Sequence, residues 1–340
     1  MTRKFIKTFI LLSLVACMLN CQGGKESIPD ELINTVNGSV SIDKLGITLT
    51  HEHVMSNFGK DKSESSVYDE TKLFAQVIPY LKELKALGVN SIFDCTTEYF
   101  GRRPDLLKII SDSSDVQIIT NTGFYGAAND RYVPQFAFDS DAVTISNIWV
   151  NEFRNGIKES GIKPGFIKLG FDGGSPSEID RKLFEAGILT HVSTGLTLAV
   201  HTGDNVEAAR LQLKLLKEHN VDLSAWIWVH ANKVSDDSLL IDFASQDAWI
   251  SLDGVNESNI DGYVARLRLF KENGLLHKVL LSHDGNGYPN GKPIRAFEAI
   301  STHLIPALMS AGFTKEAIAT IVTENPKNAF KIKIRSNSLK

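Results

Sequence analysis

Short apolar runs alternate along this chain with longer stretches whose apolar positions recur at helical spacing. The first run, residues 47–53, is β-branched and predicts a strand. Residues 71–87 follow as a helix, with Leu73, Val77, Leu81 and Leu84 on one face and Gly88 as the stop. Pro79 inside it predicts a kink or a split. Further strands are predicted over 91–95, 116–120, 166–169, 196–200, 225–229, 249–252 and 279–282. Helices are predicted from 104 to 110, 142–157, 177–191, 206–219, 236–246, 263–272 and 294–311, with a Ser177-x-x-Asp180 capping pattern opening one of them. Upstream, residues 33–36 and 39–42 flank Asn37-Gly38, a dipeptide that favours a tight hairpin. Downstream, 314–323 and 326–332 predict a helical cap.

The predicted strands lack strict alternation, as expected where both sheet faces are buried. Eight strand–helix units with no internal repeat or linker predict one closed (β/α)8 TIM barrel over residues 33–335, with an N-terminal hairpin and the C-terminal cap. A short tail, 336–340, completes the chain. No Gly-x-Gly-x-x-Gly turn is present for a dinucleotide.

Composition alters this picture only at the N-terminus. The chain has 340 residues, 43% hydrophobic and 22% charged, with a net charge of −4 and no basic stripe, so nothing points to nucleic acid. Arg3, Lys4 and Lys7 precede an apolar run, residues 9–16, too short to span a bilayer; residues 1–16 predict a signal peptide. Leu14-Val15-Ala16-Cys17 resembles the lipobox of bacterial lipoproteins. Cys17 is therefore the expected lipidation site, with Cys21 the alternative and residues 17–32 a polar tether. That implies an exported lipoprotein anchored on the periplasmic or outer-surface side. An ordinary secretory signal with two incidental cysteines is the competing reading. Cys95 has no partner in the body of the chain and reads as a small buried hydrophobe.

The candidate chemistry lies at the predicted strand ends, where such barrels carry their sites. The first strand ends in His51-Glu52-His53, and residues two apart on a strand share a face. Two imidazoles on one side are half a tetrahedral shell for zinc; alone, the pair equally fits two solvent-facing histidines. Later strands end at His201, His230 and Ser282-His283-Asp284, and Lys168 interrupts the apolar run Gly165-Phe-Ile-Lys-Leu-Gly170. A buried lysine is either paired, here with Asp94 or Asp172, or it uses the uncharged amine to add CO₂ as a metal-bridging carbamate. Both readings stand at this point. Glu52, facing away from its histidine neighbours, reads as a structural anchor, and His283 as support behind Asp284.

Thr50-His-Glu-His-Val54, Gly101-Arg102, Thr122-Gly-x-Tyr125, Ile167-Lys168, His201, His230, Ser282-His-Asp284 and Glu324-Asn-Pro-Lys327 occur in this order from about Val36 to Ile332. The ordered set resembles the phosphotriesterase-related family of the amidohydrolase superfamily, in its lactonase-like branch. The resemblance implies a two-metal centre. His51, His53 and Asp284 would hold one ion, His201 and His230 the other, and carbamylated Lys168 would bridge both. Zinc suits these ligands, with manganese, cobalt or nickel as alternatives. A metal-bridging hydroxide would attack an ester centre, most plausibly of a lactone or carboxylic ester and secondarily of a phosphotriester, with Asp284 accepting its proton. Tyr125 matches a tyrosine beside the reacting atoms, or is a loop-wall aromatic.

Two positions depart from better-known members: Lys233 follows His230 where an aspartate is frequent, and Gly254 replaces an arginine or histidine. A proton relay from Asp284 through those positions is not expected. Tyr99, Phe124, Arg131, Asp172, Asn256, Asn286 and Tyr288 are the substrate-facing candidates. His191, His219, His277 and His303 receive no role. A deaminase fits less well because no glutamate follows His201 or His230 at a suitable spacing. A surface lipoprotein that binds metal or ligand without turnover is the reading from outside enzymes. The resemblance also implies a homodimer.

Overall fold

A computed structural model describes residues 31–337. The signal segment, most of the tether with Cys17 and Cys21, and the last three residues lie outside the described residues. The described chain starts in an antiparallel hairpin of β1 (Leu32–Thr35) and β2 (Gly38–Ser41), with Thr35 opposite Gly38. The turn residues are therefore Val36 and Asn37, one position earlier than Asn37-Gly38. The Thr35 hydroxyl explains the shift: it accepts the Asn37 N–H (3.1 Å) and donates to Gly38 O (2.9 Å). Gly38 takes the positive φ (+107°) that returns the chain.

Parallel barrel strands follow as β3 (Ile47–Glu52), β4 (Val89–Asp94), β5 (Gln117–Ile119), β6 (Asn121–Thr122), β7 (Phe166–Gly170), β8 (Leu198–His201), β9 (Trp226–Val229), β10 (Trp249–Leu252) and β11 (Val279–Leu281). β5 and β6 are one barrel strand interrupted at Thr120, so the wall consists of two arcs, β3-β4-β5 and β6 through β11. The seam between β11 and β3 closes without a regular ladder. Asp284 N–H donates to His51 O (3.1 Å), His51 N–H to Ser282 Oγ (2.9 Å) and Thr50 Oγ1 to Leu281 O (3.3 Å).

Glu52 clamps that seam from behind. It is fully buried and accepts from Ser282 Oγ (2.7 Å), His283 N–H (2.9 Å), His283 Nδ1 (2.7 Å) and Gly285 N–H (2.5 Å). The anchoring role expected of Glu52 is what its surroundings display. His283 passes the constraint outward, because its Nε2 accepts the Ile300 N–H (3.0 Å).

The helices are α1 (Glu70–Ala86), α2 (Pro104–Ser114), α3 (Gln135–Asp139), α4 (Ala142–Asn155), α5 (Glu178–Thr194), α6 (Val206–Glu218), α7 (Asp237–Ser245) and α8 (Ile260–Glu272), then α9 (Ile305–Ser310), α10 (Lys315–Ala319) and α11 (Asn325–Phe330). Ser177 and Asp180 form the capping box the sequence predicts. Two expectations fail. α1 runs unbroken through Pro79, because Pro79 and Ala75, whose carbonyl loses its partner, are both exposed and water can satisfy that oxygen. The helix expected from 294 begins only near Ile300, with a π turn (Ile300–Leu304) leading into α9. Residues 291–298 are held out of the helix because Arg295 and Asn286 exchange backbone bonds of 2.7 and 2.9 Å.

Inside the barrel, Phe93, Phe166 and Phe330 pack together, with Phe93 and Phe330 stacked at 3.9 Å between ring centroids. Burying each such ring contributes roughly 2–3 kcal/mol. α11 thus plugs the end at which the strands begin. Along β7 the inward positions read Phe166 then Lys168, and along β8 Ala199 then His201, so on these two strands the apolar side chain comes first and the polar one nearer the mouth. Cys95 lies in the apolar layer, fully buried.

Candidate metal centre

At the mouth of the barrel, His51, His53, His201 and His230 gather around Lys168 and Asp284. The His230 ring lies 4.7 Å from that of His51 and 4.5 Å from that of His201. His51 Nε2 and His53 Nε2 both approach Asp284 Oδ1, at 3.7 and 3.4 Å. Of their other nitrogens, His53 Nδ1 is taken by Thr96 Oγ1 (2.8 Å), while His51 Nδ1 makes no hydrogen bond but lies 3.2 Å from Asp253 Oδ2. Asp253 Oδ2 is also 3.4 Å from His230 Nδ1. In His53 an oxygen fixes Nδ1 and leaves Nε2 for a ligand, the arrangement that orients metal-binding histidines, and in His51 and His230 the Asp253 carboxylate stands on the Nδ1 side. His201 Nδ1 lies 3.1 Å from the Tyr125 hydroxyl.

Backbone strain marks the same place. His230 (φ +61°) and Asp284 (φ +55°) are both left-handed, a conformation that costs a non-glycine residue about 1–3 kcal/mol and persists only where surroundings enforce it. The enforcing bonds run from His230 N–H to Asp253 Oδ2 (2.8 Å) and from Asp284 N–H to His51 O.

Lys168 is 1% exposed, and its Nζ has no hydrogen-bond partner. Neither proposed salt-bridge partner reaches it. Asp94 accepts the Val54 N–H (2.8 Å), and Asp172 accepts the N–H groups of Ala128 and Asn129 (2.8 and 2.7 Å). The paired reading of Lys168 is therefore wrong for this structure. A polar group left alone in the interior costs stability, so an orphaned amine under four imidazoles marks a site that something else completes.

The charge states of His201 and His230 suit a divalent cation. Burial disfavours the charge on His51, but Cys95 and the Asp253 carboxylate outweigh it and raise its pKa to about 10, so His51 has to release a proton to ligate. Burial lowers the pKa of His201 well below its ordinary value, with His230 and Lys168 adding to the effect. Burial likewise brings His230 down to about 3, assisted by His51. Neutral imidazole is the ligating form. Burial opposes the charge on Asp284, but its contact with His53 and the nearby His51 outweigh this and hold it well below the carboxylate range. Two donor groups can each converge on one ion: His51/His53/Asp284 and His51/His230/Asp253. Asp253 in the second is fully buried and already engaged by the His230 N–H and Ser251 Oγ (2.8 Å each), so it is better placed to orient the histidines than to leave them for a metal.

Sequence reasoning missed Asp253. Its position directly after a strand, matching Asp284, was the available signal. Asp253→Asn keeps the shape and removes the charge that holds two imidazoles. It should weaken metal binding about 10–100-fold, measured by competition with a chromophoric chelator; unchanged affinity would remove Asp253 from this role.

Above these groups opens a cavity of about 290 Å³, walled by Phe58, Phe100 and Tyr125 on one side and by the loop after β11 on the other. Burial, then the Asp284 charge, raise the Tyr125 pKa, so it stays a phenol. Of the substrate-facing candidates only Asn286 lines this cavity. Phe124 packs on Trp149, Arg131 bonds Gly59 O, Asp172 braces three left-handed residues from Ala128 to Asp130, and Asn256 caps its own turn. Tyr288 is buried near Tyr68, and Tyr99 lines a separate cleft beside Arg102. Phe58, 51% exposed over the cavity, was missed, although an aromatic in the polar loop Ser56-Asn57-Phe58-Gly59 was a visible cue.

A parallel barrel with four imidazoles, a carboxylate and an unpaired amine at its strand ends has the architecture of a metal-dependent hydrolase. The sequence profile of the Phosphotriesterase family matches residues 31–330, and the chain belongs to that family. A phosphotriesterase homology protein of Mycobacterium tuberculosis is 27% identical over 317 residues, covering 88% of this chain and 97% of the relative. The N-acetyltaurine hydrolase of Homo sapiens is 24% identical over 348 residues, covering 87% and 96%. Among solved structures, the phosphotriesterase from M. tuberculosis superposes with a TM-score of 0.80 at 25% identity, covering 89% of this chain and 99% of its own.

Proposed function

We propose that the protein is a two-metal hydrolase of a lactone or carboxylic ester, with phosphotriesters as secondary substrates. The observation that carries this reading is the buried, partnerless Lys168 Nζ beneath four imidazoles. His51, His53 and Asp284 would hold one ion, and His201 and His230 the other. Lys168 Nζ would add CO₂ with loss of a proton, giving an anionic carbamate whose two oxygens suit both ions. Zinc is the first choice for this donor set. Two bound ions would supply an activated water and polarise the substrate oxygen.

The remaining work falls to the chain. Asp284 has Oδ2 free of the His51 and His53 contacts, and it accepts the proton that the attacking water gives up. Tyr125, uncharged and buried, faces the cavity beside His201 and donates to the substrate oxygen. Phe58 and Phe100 cover the acyl portion and limit water. Gly254 has no side chain to carry a proton, so the proton leaves by solvent at the open mouth rather than through a relay. We also propose that the chain is exported and anchored through Cys17, with Cys21 as the alternative.

A panel of lactones, aryl esters, phosphotriesters and N-acyl amides tests the reaction; amides enter because one relative is named for an N-acetyl substrate. Turnover of lactones or esters by the metal-loaded protein supports the proposal. Two bound metals with no turnover on any of them favours a binding protein. Tyr125→Phe should lower kcat about 10–100-fold while metal content stays at the wild-type level, by steady-state kinetics and elemental analysis. An unchanged kcat would make Tyr125 a wall residue.

A further inference from the structure

The loop after β11 differs in charge from the rest of the cavity. Lys292 and Arg295 line it there, facing across from Phe58 and Phe100. Apart from Lys168, read above as a carbamate, they are the two cationic side chains among the lining residues, and Asp284 is the carboxylate there. Arg295 Nη2 lies 3.3 Å from Asp284 Oδ1 and also donates to Asp284 O, yet its side chain is 58% exposed. Among the described residues Lys292 has no acidic partner within 4.0 Å.

The backbone that carries these cations is held in place. Asn286 and Arg295 exchange backbone bonds, Asn290 N–H donates to Ser56 O (2.8 Å), and Gln76 Nε2 donates to Gly287 O (2.7 Å) and Lys292 O (3.1 Å). The loop is thereby tied to the segment after β3 and to α1. Asp284 is assigned above to the metal, which leaves the guanidinium without another acid to neutralise it. Two cations carried on one tied loop, an aromatic wall opposite and reactive groups on the floor form a site for a molecule with an apolar part and an anionic end. A neutral lactone uses only half of that wall.

We propose that Lys292 and Arg295 form an anion-recognition subsite, and that the substrate is an acyl compound carrying a carboxylate, sulfonate or phosphate group. This rests on the hydrolase reading for the word substrate, but the binding itself does not. Arg295 grips the planar or tetrahedral anion through its paired N–H groups, and Lys292 adds a point charge at the rim. Because the rim is exposed, the attraction weakens as salt is raised.

The test is calorimetric titration of the metal-loaded protein with glutarate, propane-1-sulfonate and propyl phosphate, and with butyramide as the uncharged control. At least one anion should bind about tenfold tighter than butyramide, and Lys292→Gln/Arg295→Gln should lose about tenfold of that affinity, whereas Arg295→Lys keeps most of it. The tightest of the three anions identifies the chemistry. Equal binding by wild type and double variant would overturn the subsite, since the anion would then sit on the metals alone. If the double variant misfolds, Lys292→Gln, which keeps the Lys292 carbonyl and so every backbone tie, decides by the same comparison. A matched pair of aryl esters, with and without a terminal carboxylate on the acyl chain, separates the two readings. Anion binding lost in the variant without turnover of either ester leaves the subsite standing and removes the hydrolase. Turnover of both esters with the same selectivity in wild type and variant, and no binding difference, does the reverse.

Discussion

Lys168→Ala should yield a folded protein that has lost both metal and hydrolysis. The side chain is buried with its Nζ unpaired, so truncation removes an unsatisfied group instead of breaking a hydrogen bond or salt bridge. Thermal unfolding of the metal-free protein should therefore change little. Metal content should fall from two ions toward none, because the carbamate is the one ligand proposed to touch both. Turnover should drop on the order of a thousandfold or more, since activation of water and polarisation of the substrate are lost together. Elemental analysis and steady-state assays on the same preparation read both effects. A fully metallated, fully active variant would contradict the proposed role. Loss of activity with both metals retained would confine Lys168 to a later step.

Glu52→Ala should have the largest effect on stability of any single change at the mouth, with no loss of a proposed ligand. Its carboxylate satisfies two backbone N–H groups, the Ser282 hydroxyl and His283 Nδ1, all buried. Removing it strands those donors and opens the β3–β11 seam, where side-chain and isolated backbone bonds replace a regular ladder. The expected cost is about 3–5 kcal/mol, a large share of the margin of an ordinary domain. Chemical denaturation measures it directly. Glu52→Gln should recover only part, since one amide oxygen cannot replace two charged ones and its NH₂ meets further donors. If Glu52→Ala cost less than about 1 kcal/mol, the seam would not depend on this residue.

These two residues show how far the sequence could be read. Lys168 was conspicuous because a charge inside Phe-Ile-Lys-Leu breaks a hydrophobic pattern, and its strand fixes the direction it faces. Glu52 followed from alternation alone: with His51 and His53 inward, it points outward. The proposed ligands at the ends of β3, β8 and β9, and Asp284 just past β11, were legible for the same reason. What escaped lay in loops and in contacts distant along the chain. The late start of the helix near Ile300 depends on Asn286 pairing with Arg295 and on His283 receiving the Ile300 N–H, neither of which local propensity encodes. The survival of α1 through Pro79 depends on which face meets water. Asp253 and Phe58 were missed because their roles depend on which partners the closed barrel brings to them. Most substrate-facing candidates failed on the same ground: loop polarity is as readily spent on capping a turn, as by Asp172 and Asn256, as on facing a ligand.

The central claim is that hydrolysis depends on a two-ion centre at this mouth. Titrating zinc, in the presence of bicarbonate, into protein stripped by a chelator, and following ester or lactone hydrolysis after each addition, tests it most directly. Activity should be absent without metal and should rise to a plateau at two equivalents per chain. Hydrolysis that survives complete metal removal, or that is already maximal at one equivalent, would contradict it.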